Sequence, residues 1–286
     1  MRLLLLSGSK THEKPGFLEH ALPWLKDHFA NVKTILFIPY ALQDHDAYAE
    51  AISAAFAKIN IKIISAHTSD NPVALLDQVD GVYIGGGNTF RLLNMLYKTG
   101  LIHAIPEKVR NGMPYASASA GTNVACPTIR TTNDMPIVEP PSLTAMGLTN
   151  FQINPHYLDP IANSTHMGET REQRIKEFHE ENSMPVLGLR EGTALKITDK
   201  QIILLGDKSA RLFRQGQKPI EIVPNSDMAK DFSLSAHKTH DSWWYRNRNV
   251  LSITAFAAAT TGLFALKLAL GKNAAISENV TRGFIR

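Results

Sequence analysis

The stretch Tyr115-Ala116-Ser117-Ala118-Ser119-Ala120-Gly121 sets two serines among small residues, between a strand-like approach at Met113-Pro114-Tyr115 and a run, Thr122-Asn123-Val124-Ala125, suited to open a helix. A serine on a tight strand-to-helix turn projects its hydroxyl clear of a sheet, and the N–H groups that follow point toward a developing oxyanion. The same composition also suits a packing turn, so the serines alone do not decide. A second turn, Gly85-Gly86-Gly87-Asn88-Thr89-Phe90, follows the apolar Gly81-Val82-Tyr83-Ile84 and precedes a helical pattern over Arg91 to Lys98. Its bare N–H groups can face an anion or an oxyanion. It lacks the G-x-G-x-x-G spacing and the Lys-Ser/Thr of a P-loop, which argues against nucleotide binding.

Downstream, the polar Pro127 to Pro136 segment carries Asp134, and Phe151-Gln152-Ile153-Asn154 reads as a strand with Pro155-His156 at its exit. Ser119, Asp134 and His156 thus follow in the order nucleophile, acid, base, as in an α/β-hydrolase triad. Spacing does not show that the three meet. His103, His166, Asp159 and Glu169 are competing candidates. Thr170 with Gln173 has the form of a capping box, while Arg171 at a helix start opposes the dipole and calls for a carboxylate partner. The single cysteine, Cys126, excludes an internal disulfide and a multi-cysteine zinc site.

The elements that must hold these residues alternate. Leu3 to Leu6, Thr34 to Ile38, Ile61 to Ala66 and Gly81 to Ile84 are short apolar runs, separated by helical patterns at Phe17 to Phe29, Ala47 to Ile59 and Val73 to Val79. Continuous apolar strands between helices predict an α/β fold, a mainly parallel sheet covered on both faces, with ligands at the carboxyl ends of its strands. Val186 to Leu189, Ala194 to Thr198, Gln201 to Leu205 and Ala210 to Phe213 read as an antiparallel extension that closes a domain, 1–223, near Val223.

The 286 residues carry a formal charge of +4, with Lys and Arg scattered rather than striped, so no nucleic-acid partner is expected. The apolar run after Arg2 is too short for a secretory h-region and reads as a buried strand, which leaves a catalytic domain expected in the cytoplasm. Residues 224–286 form an extension of different composition. It holds the aromatic and basic cluster Trp243-Trp244-Tyr245-Arg246 and a nearly uncharged helical stretch at about 250–270, broken by Lys267. That length suits a membrane span with an interfacial belt, or alternatively a helix packed on the domain or on a second subunit.

Taken together, Ile84 to Phe90, Ser119-Ala120-Gly121, Ala125 to Val138, Gln152 to His156 and Gly168 to Ile175 closely resemble the peptidase E family, the aspartyl dipeptidases of the serine peptidase family that also contains cyanophycinase. The resemblance covers roughly the first four fifths of the chain. It implies a flavodoxin-like sheet of the class I glutamine amidotransferase type and hydrolysis of small Asp-Xaa peptides, with no metal or organic cofactor. By motif, Ser119 matches the nucleophile, His156 the base and Asp134 the third member. The N–H groups of Gly87 or Gly86 and of Ala120 are expected to form the oxyanion hole. Arg171 and Arg130 are candidates for the substrate carboxylate, Glu169 for its ammonium, and Asn88 lines the same loop. The family's turn reads Gly-Trp-Ser-Ala-Gly, and Ser117-Ala118 in the first two positions predicts added strain there. A cyanophycinase-like action on β-aspartyl polymers is disfavoured by Asn133-Asp134-Met135-Pro136. A glutamine amidotransferase would carry cysteine at the turn, and a catalytically silent, membrane-tethered binding protein would keep the fold alone.

Overall fold

The computed structural model describes residues 1–160, 165 and 167–232. Five short strands, β1 (Leu3–Leu6), β2 (Thr34–Ile38), β3 (Lys62–Ser65), β4 (Gly81–Ile84) and β5 (Tyr115–Ala118), lie parallel in the order β3-β2-β4-β5-β1. Six more follow: β6 (Gln152–Pro155), β7 (Val186–Leu189), β8 (Ala194–Ile197), β9 (Ile202–Leu205), β10 (Ala210–Phe213) and β11 (Ile220–Ile222). The strands read as one antiparallel extension divide between two sheets. β8 and β9 add antiparallel to the β1 edge, giving a sheet of seven strands. β7 and β10 instead join β6 and β11 in a separate sheet of four, in which β6 and β7 are parallel.

The helices are α1 (Leu22–His28), α2 (His45–Ala57), α3 (Thr89–Lys98), α4 (Leu101–Arg110), α5 (Ala120–Ala125) and α6 (Arg171–Glu181). Why the parallel strands read as unbroken apolar runs is plain in β1, where all four leucines are fully buried. Leu3 and Leu5 join the core beneath α3, α4 and α5, while Leu4 and Leu6 join the core beneath α1 and α2. Burying such a side chain contributes about 2 kcal/mol, so alternation between two apolar faces stabilises both layers at once. The helix expected over Phe17 to Phe29 is shorter. Leu18 has φ 59°, a 3-10 turn covers Glu19–Ala21, and Pro23 sits in the first turn of α1, where its missing N–H costs no bond.

Residues past Val223 still belong to this domain. Asn225 N–H donates to the Leu204 carbonyl, Met228 N–H to the Ile202 carbonyl, and Phe232 stacks on Phe151 at 3.8 Å between ring centroids. The apolar stretch at 250–270 lies outside the described residues. Among the described residues no helix is long and apolar enough to cross a membrane.

Candidate active site

Ser119 is the single residue between β5 and α5, and the chain reverses on it, with φ 52° and ψ −111°. For a residue with a Cβ this conformation is strained by about 1–3 kcal/mol and persists only where neighbours over-determine it. Here Ser119 N–H donates to the Leu6 carbonyl at 3.2 Å, and its own carbonyl accepts from Thr122 and Asn123 at 2.9 and 3.0 Å. Gly121 lets α5 begin this close to the sheet, because a Cβ there would lie 2.4 Å from the Ile84 carbonyl oxygen. The strain expected at Ser117 is not found. Ser117 is a regular β5 residue paired with Leu5 and Ile84, its Oγ 3.1 Å from Thr122 Oγ1. The positive φ falls on Ser119 itself.

His156 is held by β1 as much as by its own strand. Its N–H donates to Ser7 Oγ at 3.0 Å, and Ser7 Oγ donates to the Leu189 carbonyl at 2.7 Å. The imidazole lies over Gly8, where a Cβ would come within 2.7 Å of Cε1. So placed, Nε2 is 2.9 Å from Ser119 Oγ and Nδ1 is 2.8 Å from Glu191 Oε1. The pair is only half shielded, with side-chain exposures of 39% for His156 and 47% for Glu191.

The carboxylate at Nδ1 is therefore Glu191 and not Asp134. Asp134 Oδ2 accepts from Thr89 N–H at 2.8 Å and from Thr89 Oγ1 at 2.5 Å. Thr89 opens α3, and an N–H without an intrahelical acceptor, at the positive end of the dipole, draws the carboxylate there. Thr132 Oγ1 donates to Thr89 Oγ1 at 3.0 Å and accepts from Asp134 N–H at 3.2 Å, which closes the loop around it. The loop is fixed over β6 by Asn133 Nδ2, which donates to the Pro155 carbonyl at 2.7 Å, and by Asn154 Nδ2, which donates to Asn133 Oδ1 at 2.8 Å. Glu191 escaped the sequence reading, although it leaves the buried strand β7 much as His156 leaves β6. A strand-exit search extended past His156 would have included it.

Glu191 is anchored through its neighbour. Arg190 grips Asp159 bidentately, at 2.6 and 2.8 Å, and Glu221 at 2.8 and 3.1 Å. This ties the chain three residues after His156 to the residue before Glu191, and it commits Asp159 away from the imidazole. Arg190 in turn holds both carboxyls below the usual range.

A cleft of about 220 Å³ opens between Ser119, His156, Asn123, Asp134 and Arg171. Burial, then Arg174, pushes the Arg171 guanidinium below its usual range, and Asp134 opposes them. The other sequence candidates are placed differently. Arg130 is exposed and does not line this cleft. Glu169 accepts from Arg174 Nε at 3.3 Å, not from Arg171, and is also off the cleft wall. Asn88 is used by the scaffold: Oδ1 caps α3 at Arg91 N–H, 3.0 Å away, and Nδ2 donates to the Met135 carbonyl at 2.8 Å. The Gly86 amide faces the buried Tyr48 hydroxyl, whose pKa it lowers against the larger rise due to burial. Gly86 packs on Ser119, where a Cβ would lie 3.0 Å from Ser119 Cβ; Gly87 follows with φ 132°, and Ala120 opens α5 directly after Ser119. His103 lies on α4, edge-on to Tyr97, and His166 is outside the described residues.

This arrangement, a strained serine, an imidazole at its hydroxyl and a carboxylate behind the imidazole, is that of a covalent hydrolase. The family model for peptidase family S51 matches residues 3–205. The chain belongs to peptidase family S51. It is 52% identical to Peptidase E of Streptomyces coelicolor over 230 residues, 80% of this chain and 94% of that one. It is 48% identical to a probable alpha-aspartyl dipeptidase of Drosophila melanogaster, over 79% of this chain and 95% of that one. Among solved structures, a putative peptidase E protein from Listeria monocytogenes EGD-e shares the fold, with a TM-score of 0.55 at 24% identity over 72% of this chain and 98% of that one. In this chain the turn carries Ser119. The lone thiol, Cys126, is buried past it in α5's cap and pushed up to about 12 by burial, which leaves it no role as a nucleophile.

Proposed function

We propose that this S51 peptidase is a serine dipeptidase that hydrolyses Asp-Xaa dipeptides through an acyl-enzyme on Ser119. The observation that carries the reading is the imidazole of His156 between Ser119 Oγ, 2.9 Å away, and Glu191, 2.8 Å away. In the proposed cycle His156 Nε2 takes the Ser119 proton as Oγ attacks the scissile carbonyl, and Glu191 steadies the imidazolium. The oxyanion accepts from the N–H groups of Gly87 and Ala120, where losing one donor typically costs about 3–4 kcal/mol. His156 then gives its proton to the leaving amine, and a water activated by the same imidazole releases the acyl group.

The name borne by the Drosophila relative supports aspartate as the first residue. So does the cleft. Arg171 is the cation for the substrate side chain, and a bidentate pairing there disfavours a neutral residue by leaving the guanidinium unpaired. Asp134 keeps one carboxylate oxygen on Thr89 and turns the other to the substrate ammonium. Purified protein assayed on Asp-Leu, Glu-Leu and Ala-Leu tests the reading, with Ser119→Ala as control. Asp-Leu is expected to be strongly preferred and the variant inactive. Undiminished hydrolysis by Ser119→Ala would sink it.

A further inference from the structure

Asn123 lines the Ser119 cleft, and the cycle above gives it no task. It lies one turn into α5 from the nucleophile, since its N–H donates to the Ser119 carbonyl at 3.0 Å. Only 4% of the residue is exposed, and its side-chain oxygen, Oδ1, has no hydrogen-bond partner among the described residues. A buried acceptor left unpaired is costly, and native proteins keep few of them.

Which amide atom is left over follows from where the neighbouring protons go. Thr89 Oγ1 donates to Asp134 Oδ2 at 2.5 Å, and Thr132 Oγ1 donates to Thr89 Oγ1 at 3.0 Å. A hydroxyl has a single proton, so both oxygens are acceptors toward Asn123, whose Nδ2 lies 3.4 Å from each. The reversed amide would set Oδ1 against two oxygens with no hydrogen to offer. Nδ2 therefore faces the threonines, and Oδ1 is the atom without a partner. The Thr89 hydroxyl also places the amide beside Asp134, because it is bonded to both side chains. The carboxylate and the amide thus stand together in the lining of the cleft.

We propose that Asn123 Oδ1 accepts a hydrogen bond from the free ammonium of the substrate, next to Asp134, and so favours N-terminal residues. The inference rests on the dipeptidase reading. An oxygen that can only accept selects for a donor. Within an N-terminal aspartyl residue the ionised side chain offers none, and the scissile nitrogen is engaged with His156 as it takes the proton and leaves. The ammonium is the donor that remains. It carries three N–H groups, and Asp134 leaves one carboxylate oxygen for them. A second acceptor beside that carboxylate satisfies the cation and the buried amide together. An aspartate inside a longer chain presents a neutral N–H here, which makes a weaker bond than a charged donor.

The test compares Asp-Leu with succinyl-leucine, which differs only in lacking the ammonium, on wild type and on Asn123→Leu, similar in size but without an acceptor. In the variant kcat/KM for Asp-Leu is expected to fall about tenfold, as loss of a hydrogen bond to a charged group does. Succinyl-leucine, followed as a substrate or, if uncleaved, as a competitive inhibitor, should change by less than about twofold, since it lacks the group that Oδ1 serves. Should Asn123→Leu fail to fold, Asn123→Ala, which removes the amide without adding bulk, is read in the same way. Repeated in an Asp134→Asn background, the substitution should again weaken Asp-Leu more than succinyl-leucine. Loss of the difference there would assign the effect to Asp134 and overturn the inference. Equal losses on the two compounds, or no loss on Asp-Leu, overturn it as well and leave the dipeptidase reading intact. If wild type does not cleave Asp-Leu, the dipeptidase reading itself fails, and the inference with it.

Discussion

Gly8 does no chemistry, yet the site depends on its having no side chain. A Cβ at this position lies 2.7 Å from His156 Cε1 and 3.5 Å from each ring nitrogen. Apolar contacts settle near 4 Å, and about 3.5 Å is the least a neighbour tolerates. In Gly8→Ala the ring must therefore retreat by about 1 Å. Starting from 2.9 Å to Ser119 and 2.8 Å to Glu191, a shift of that size takes at least one bond past the limit of useful geometry. Misplacement of a reacting group by about 1 Å costs on the order of a hundredfold in rate, or about 2.7 kcal/mol. The φ of Gly8 is not positive, so the backbone itself accepts alanine. The assay is kcat/KM on Asp-Leu beside a thermal melt. We expect a loss of about a hundredfold with a melting temperature within a few degrees of wild type. A folded Gly8→Ala protein with activity within threefold of wild type would refute the claim that the imidazole works from this position.

His28, the last residue of α1, is buried with its pKa lowered to about 4, chiefly by burial and then by Arg2, so the unfolded chain binds its proton first as pH falls below 6.5. Its contribution is thus fully present above pH 6.5 and lost as pH falls toward 4. Denaturant titrations should show about 2 kcal/mol of this lost by pH 5 and about 3 kcal/mol by pH 4, and a smaller loss over the same range in His28→Leu. Asp134→Asn should raise KM for Asp-Leu about tenfold or more with a smaller change in kcat, since the proposed role is to hold the substrate ammonium; steady-state kinetics with the two constants separated would decide this.

How much of this was legible in the sequence depended on how local the signal is. The parallel strands were visible because β1, β2 and β4 bury both faces and so read as unbroken apolar runs. Ser119 and His156 were visible because each ends a strand, and that is where such sheets present their chemistry. Sheet membership was not visible. β7 and β8 look alike as short apolar runs, and only the pairing of β8 with β1 and of β7 with β6 separates them. Glu191 was hidden for the same reason, since its place beside His156 depends on β7 running parallel to β6. The bond of Asp134 to Thr89 was not visible either, because chain order carries no information about a residue 45 positions earlier that takes its carboxylate at the start of α3. The role of Gly8 was equally invisible, because a glycine needed for close approach to a distant side chain reads like any turn glycine.

The central claim is that His156 is oriented by Glu191 and not by Asp134, and Glu191→Gln tests it most directly. A buried carboxylate in this position is worth up to about 10⁴ in kcat. Here the pair is half exposed, at 39% and 47%, and solvent screening reduces its worth to about 1–2 kcal/mol, roughly 5- to 30-fold. We therefore expect kcat for Asp-Leu to fall by that factor in Glu191→Gln with KM little changed. Wild-type kcat in a folded Glu191→Gln protein, with the loss in kcat appearing instead in Asp134→Asn, would contradict the account.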